Sequence, residues 1–254
     1  MISVILCEGA DDAHFLGYYL HKVSIEPKWK FESNGKLTEL YNLPKRKNSE
    51  PSIYTRKNMK DRLAIWPVGS KDSFKLPIED ISKLNMRFPD FAIQNIFIIS
   101  DRDKDDVEEV LNKFQKYFCD NDYKIELKNN CVNRGTYKVD DEEYEINIIP
   151  IILPFDEEGA LETILLNQIG TGNKENEIIV NSAKEYVHKI IENDEIKSYL
   201  KAERLKLKSI FSSTIAIINP DHSTRILDRL LMSLEWENER VIKEHFGLIE
   251  DLLK

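Results

Sequence analysis

Asn95-Ile-Phe-Ile-Ile-Ser-Asp101-Arg-Asp103-Lys-Asp105-Asp106 decides how this chain is read: an apolar run stops abruptly at a cluster of carboxylates. Ile96 to Ile99 are bulky, largely β-branched and uncharged, the pattern of a strand buried on both faces of a parallel sheet. Asp101 then stands at the carboxyl end of that strand. Open α/β sheets bind ligands beyond the carboxyl ends of their strands, so Asp101 and Asp103 fall where chemistry is usually done. Period-2 alternation turns both side chains to one side. Two carboxylates so close repel unless a cation or proton lies between them, and the pair suggests a hard divalent metal such as Mg²⁺. The same residues also fit an acidic helix N-terminus, with Asp103, Asp105 and Asp106 complementing the macrodipole of a helix running to about Phe118.

A partner for the aspartates lies at the start of the chain. Ile2-Ser-Val-Ile-Leu-Cys7 is a second short apolar run, followed by Glu8-Gly9-Ala10-Asp11-Asp12 and then by Ala13, Phe15, Leu16, Tyr19 and Leu20 at amphipathic-helix spacing. This reads as a strand, a tight turn and a helix, with Glu8 at the strand's carboxyl end. If the two strands are parallel neighbours, Glu8, Asp101 and Asp103 meet on one sheet edge. Three carboxylates there leave water and phosphate oxygens to complete the octahedron that Mg²⁺ prefers.

Glu8-Gly9-x-x-Asp12-x-x-Phe15-Leu16 after a strand, with Asp101-x-Asp103 after a later strand, resembles the Toprim domain of topoisomerases, primases and OLD-type nucleases. A third stretch, Leu153-Pro-Phe-Asp-Glu-Glu-Gly-Ala-Leu161-Glu162-Thr-Ile-Leu-Leu166, is similar to the compact Toprim-like proteins called DUF3226, relatives of the OLD nucleases. The resemblance covers roughly residues 1 to 215. It implies a Toprim-like, Rossmann-like α/β fold: a mostly parallel sheet flanked by helices, with a helical C-terminal region. It also implies roles. Glu8 serves as acid/base or metal ligand, Asp101 and Asp103 hold Mg²⁺ or Mn²⁺, and Glu162 is a further ligand or anchor. A lysine on a downstream helix assists, for which Lys208 in Lys206-Leu207-Lys208 is the nearest equivalent. One departure stands out: Lys104-Asp105-Asp106-Val107 lacks the glycine that often follows the Asp-x-Asp pair in Toprim domains.

Read from composition alone, Glu162 has two settings. Among Leu161, Ile164 and Leu165 it is either the solvent face of an amphipathic helix or a paired, functional acid.

Length and composition set the outer bounds. At 254 residues with 41% hydrophobic content, the chain can build one large α/β domain or a domain with an appendage. The expected division is a core over 1–168, with a basic insertion at about 33–62, and a helical extension over 169–254 packed on that core. No run reaches the roughly 18 apolar residues a spanning helix needs, and the N-terminus enters a strand without a basic leader, so no membrane association and a cytoplasmic location are expected. Cys7, Cys119 and Cys131 are odd in number and widely spaced, against a disulfide framework or a cysteine-based zinc site.

A net charge of −9 argues against a nucleic-acid partner, but its distribution argues the other way. From Lys28 to Arg62 there are ten Lys/Arg against four acids, interleaved with Trp29, Tyr41 and Tyr54. Basic groups beside aromatics suit a phosphate backbone with unstacked bases, which makes Lys45, Arg46, Lys47, Arg56 and Lys57 candidate nucleic-acid contacts. A solvated loop is the plainer alternative.

The remaining elements follow in order. Lys28–Glu32 is a second strand, 36–41 a short helix, 44–62 a long polar loop, Leu63–Val68 a strand and Pro77–Met86 a helix. Val107, Val110, Leu111, Phe114 and Phe118 mark a crossover helix, Tyr123–Leu127 a short strand, and 132–139 with 144–153 a hairpin. Ile169–Asn173 reads as a flexible link. Helices are expected over 177–192, 194–211, 223–234 and 237–252, with Ser212–Asn219 either strand or helix.

Scattered histidines exclude hydrolytic zinc chemistry, and no P-loop or Gly-x-Ser-x-Gly elbow occurs. Two functions from different classes result. One is metal-dependent phosphodiester chemistry on nucleic acid, as in a Toprim-type nuclease. The other is a non-catalytic Toprim-like module that binds nucleic acid, a protein partner or a second copy of itself.

Overall fold

Ile2–Cys7 and Asn95–Asp101 carry no charge before their last residue, so neither can present a face to water, and both settle in the middle of one sheet. The computed structural model describes residues 1–24, 27–32, 49–56, 61–220 and 240–253. These form two compact units, Met1–Ile152 with Phe246–Lys254, and Leu153–His245. The first unit thus ends ahead of the expected boundary at 168, and the last residues of the chain return to it.

Seven strands make the sheet: β1 (Ile2–Cys7), β2 (Lys30–Glu32), β3 (Ser52–Arg56), β4 (Asp61–Pro67), β5 (Asn95–Asp101), β6 (Asn133–Val139) and β7 (Glu142–Leu153). Their order is β2-β3-β4-β1-β5-β7-β6. β1 runs parallel to both neighbours, with Cys7 level with Pro67 of β4 and Ile99 of β5. Antiparallel pairs, β2–β3–β4 on one side and the β6–β7 hairpin on the other, flank this parallel centre.

Helix α1 (Ala10–Val23) buries Ala13, Phe15, Leu16, Tyr19 and Leu20, the stripe its sequence spacing marks. Phe15 and Tyr19 meet Phe246 at ring distances of 4.9 and 5.7 Å. Helices α2 (Lys75–Arg87) and α3 (Val107–Cys119) join another layer: Val4, Leu6, Trp66, Ile96 and Ile98 of the sheet pack with Ile78, Ile81, Phe114 and Phe118. Each of these large side chains contributes roughly 1.5–3 kcal/mol when fully buried. The acidic-terminus reading holds for one residue of the carboxylate cluster, since Asp106 caps α3 by accepting the Glu108 N–H at 2.8 Å.

Among the described residues of the second unit are α4 (Leu161–Gly172), α5 (Lys174–Glu192), a 3₁₀ turn at Lys197–Leu200 and α6 (Glu203–Ile218). Gly170-x-Gly172 is the last turn of α4, not a link, and Asn173 starts the next helix at once by accepting the Asn176 N–H at 2.7 Å. Ser212–Ile218 is helix: Phe211, Thr214 and Ile215 are buried, and packing overrides the β-branching of that stretch. The expected helices at 36–41 and 223–234 lie outside the described residues.

Two further expectations are corrected in the first unit. The stretch read as polar loop contains β3, whose Ile53, Thr55 and Arg56 are buried against its neighbours. Tyr123–Leu127 is not a strand. It makes one bridge, Lys124 to Thr136, because the Gln115 side chain takes the backbone instead, donating to Ile125 O at 2.6 Å and accepting from Leu127 N at 2.8 Å.

The topology fixes where a ligand would go. After β1 the chain travels towards β4, and after β5 it travels to the opposite side, towards β7. The carboxyl ends of β1 and β5 therefore flank a switch point, the crevice where doubly wound sheets take their ligands.

Candidate functional site at the switch point

Cys7 and Ile99 are register partners, so the next residues, Glu8 and Ser100, emerge side by side at that crevice. The Ser100 hydroxyl donates to Glu8 Oε1 at 2.9 Å, and the Asp101 N–H donates to the same oxygen at 3.0 Å. Both bonds fall on Oε1, leaving Oε2 for a proton or a cation. Glu8 is only 5% exposed. Its carboxyl is pushed above the usual carboxylate range by burial, with the Asp103 charge adding to the rise; the Ser100 and Asp101 hydrogen bonds and the Lys71 ammonium oppose it. The turn behind it is fixed by Asp12, which accepts the Gly9 N–H at 2.6 Å at the start of α1.

Asp101 is the last residue of β5. Asp103 lies past the strand at φ 55°, a left-handed conformation that aspartate tolerates better than most residues but that still requires support from its surroundings. Strand alternation therefore does not set the direction of Asp103, contrary to expectation. A lysine does. Lys71 Nζ donates to the Arg102 carbonyl at 2.9 Å and pairs with Asp105 Oδ2 at 2.7 Å and Asp103 Oδ2 at 3.5 Å. The carboxylate cluster divides its work: the Asp101 amide meets Glu8 at the crevice, Asp103 and Asp105 face Lys71, and Asp106 caps α3.

Sequence reading missed Lys71 and Ser100. The signal for Lys71 was present, because Gly69-Ser-Lys71-Asp72 follows β4, a parallel neighbour of β1, and so emerges on the same sheet edge as Glu8. Gly69, at φ 101°, donates its N–H to Glu8 O at 2.8 Å. Asp72 pairs with Lys113 of α3, which holds the Asp72 carboxyl below its usual range.

Other expected site residues are placed elsewhere. Glu162 and Lys208 belong to the second unit and face each other, Lys208 Nζ to Glu162 Oε1 at 3.4 Å, bridging α6 and α4. In that pair the Glu162 side chain is partly buried. Among the expected nucleic-acid contacts, Lys45, Arg46, Lys47 and Lys57 lie outside the described residues. Arg56 is buried, its Nε 3.1 Å from Asp61 Oδ2 and its guanidinium 4.6 Å from the centre of the Trp29 ring, so it is committed to the core.

A cavity of about 670 Å³ is lined by His14, Tyr18, Phe31 and Tyr54, with Ala10, two residues after Glu8, and Pro67 also in its wall. Phe31 is 60% exposed.

Hard carboxylate oxygens on two strand tips are the donor type Mg²⁺ and Mn²⁺ select, and the Lys71 ammonium against Asp103 shows that the loop accepts a cation. Glu8, Asp101 and Asp103 thus fit such an ion in donor chemistry. As they stand, no three His, Cys, Asp or Glu side chains among the described residues close on one point.

The chain is a mixed α/β protein built on a seven-stranded sheet. It belongs to the DUF3226 family, described as a protein of unknown function, whose model matches residues 2–226. A crystal structure of hypothetical protein PH0156 from Pyrococcus horikoshii OT3 shares the fold at a TM-score of 0.51 and 13% identity, over 98% of this chain and 99% of that one. Among curated proteins none matches. Among the described residues no helix is long and apolar enough to cross a membrane.

Proposed function

We propose that this protein carries out metal-dependent phosphodiester chemistry on nucleic acid, as a Toprim-like nuclease. One observation carries the proposal: a buried glutamate at the end of β1 is hydrogen-bonded to the backbone of Asp101 across the switch point, with Asp103 two residues further on. Glu8, Asp101 and Asp103 would hold Mg²⁺ or Mn²⁺. Bound there, the ion would supply an activated water and positive charge against the pentacovalent phosphate. Ser100 and the Asp101 amide keep the Glu8 carboxylate oriented, and burial raises its affinity for a proton, which suits a group that exchanges a proton with water or the leaving oxygen. The aromatic walls beside the crevice support nucleic acid as the ligand, because every base has a face to stack. Glu162 and Lys208 remain candidates that rest on the family resemblance.

The second reading, a binding module without catalysis, is favoured by Lys71, whose ammonium already pairs with Asp103 and Asp105. Cleavage of single- and double-stranded DNA and RNA with Mg²⁺ or Mn²⁺ separates the two. Native protein that cleaves while Asp101→Ala does not supports catalysis. Equal activity in both, or none in the native chain, leaves the binding reading.

A further inference from the structure

Lys71 stands on a loop that is held at three points. Gly69 bonds to Glu8 O, the Ser70 and Ser73 hydroxyls share a hydrogen bond at 2.7 Å, and Asp72 pairs with Lys113. The side chain of Lys71 is 18% exposed, so the ammonium sits at the rim of the crevice with most of its stem covered. An ammonium has three N–H groups, and each has a partner here. Two contacts are short, to Asp105 at 2.7 Å and to the Arg102 carbonyl at 2.9 Å, while the third, to Asp103, is 3.5 Å. The charge is therefore anchored independently of Asp103, and the N–H directed at Asp103 is the one most easily given to another oxygen.

Two features make that oxygen a phosphate. Lys71 is a cation paired with Asp103, so an anion approaching the carboxylates meets its charge. It also follows β4 on the carboxyl edge of the sheet and bonds to the carbonyl of Arg102, the residue after β5. We infer that Lys71 is a substrate-contacting residue, anchored by Asp105 and the Arg102 carbonyl, that binds a backbone phosphate of the nucleic acid brought to the carboxylates. This rests on the function proposed above and adds a residue to it.

The test uses the full chain, Lys71→Met, Lys71→Arg and Asp105→Asn, each checked for folding by circular dichroism. Mn²⁺ binding is read without nucleic acid from the electron paramagnetic resonance of the free ion. Binding of a fluorescein-labelled single-stranded DNA oligonucleotide is read by anisotropy in Ca²⁺ over a range of salt. Removing a cation that competes for Asp103 leaves Mn²⁺ binding of Lys71→Met unchanged or tighter. Losing one phosphate contact weakens its oligonucleotide binding about tenfold and lowers the salt slope by about 0.7. Lys71→Arg retains most of the affinity, and Asp105→Asn, which frees the anchor, loses part of it. Native oligonucleotide affinity and salt slope in Lys71→Met, or Mn²⁺ binding weakened several-fold by that change, would show that Lys71 only braces the Asp103 loop and would overturn the inference. Native protein that binds neither Mn²⁺ nor oligonucleotide would instead remove the proposed function, and Lys71's role with it.

Discussion

Ser100→Ala removes one of the two hydrogen bonds to a buried carboxylate, and its effect should depend on pH. Burial holds the Glu8 carboxyl above the usual range, so the folded chain keeps its proton more readily than the unfolded chain. The sign follows: stability associated with Glu8 is fully present below the ordinary carboxylate value and is lost as pH rises through the raised one. The Ser100 bond reduces that loss, because it favours the charged form. A hydrogen bond to a charged group contributes about 1.5–3 kcal/mol and one to a neutral group about 0.5–1.5 kcal/mol. Ser100→Ala should therefore destabilise by about 2 kcal/mol at pH 8 and by about 1 kcal/mol at pH 4.5. Urea denaturation followed by tryptophan fluorescence is a suitable assay, since Trp29 and Trp66 are buried in the same unit as Glu8. A loss of about 2 kcal/mol shifts the urea midpoint by roughly 0.7–1 M at a slope of about 2–3 kcal/mol per M. In a Glu8→Gln background the extra loss at pH 8 should vanish. Equal destabilisation at both pH values in the native background would refute the reasoning, as would the same pH dependence without Glu8.

Gly17→Ala would place a methyl 2.3 Å from the Tyr54 hydroxyl; despite the better helix propensity of alanine, we expect a loss of about 1–3 kcal/mol, relieved in part by adding Tyr54→Leu. A thermal melt showing Gly17→Ala more stable than the native chain would count against this packing of α1 on β3. Arg56→Ala removes one cation from buried Asp61, which keeps the Met1 ammonium at 3.3 Å, and should cost about 1.5–3 kcal/mol by chemical denaturation; a change under about 0.5 kcal/mol would mean the Arg56 pair is not formed in solution. Phe31→Ala should leave the melting temperature nearly unchanged, because the ring is 60% exposed, yet weaken single-stranded oligonucleotide binding about tenfold, equivalent to the roughly 1–3 kcal/mol of one stacked base. Undiminished binding would detach the aromatic cavity from the site.

The parts of the fold legible in sequence are those where one physical pattern dominates. Ile96–Ile99 and Val4–Leu6 are apolar on both faces and could only be central strands, and Val110, Phe114 and Phe118 repeat at helical spacing. Glu8 and Asp101 followed from these, because a strand that is buried throughout ends where its first charge appears. What local pattern could not show was set by distant groups. Gln115 takes the backbone of 125–127 out of the sheet, and burial of Phe211 and Ile215 holds a β-branched stretch in a helix. Arg56 looked like a surface charge until Asp61 and Trp29 enclosed it. Lys71 escaped notice because its significance depends on β4 lying beside β1, a pairing that links residues about sixty positions apart.

The proposed function requires Glu8, Asp101 and Asp103 to share one divalent ion. Crystals grown with Mn²⁺ and measured at the manganese absorption edge test it most directly. An anomalous peak is expected at the β1–β5 switch point, at about 2.0–2.2 Å from oxygens of all three carboxylates. A fully occupied peak elsewhere, or none there at saturating Mn²⁺ with Lys71 still paired to Asp103, would contradict it.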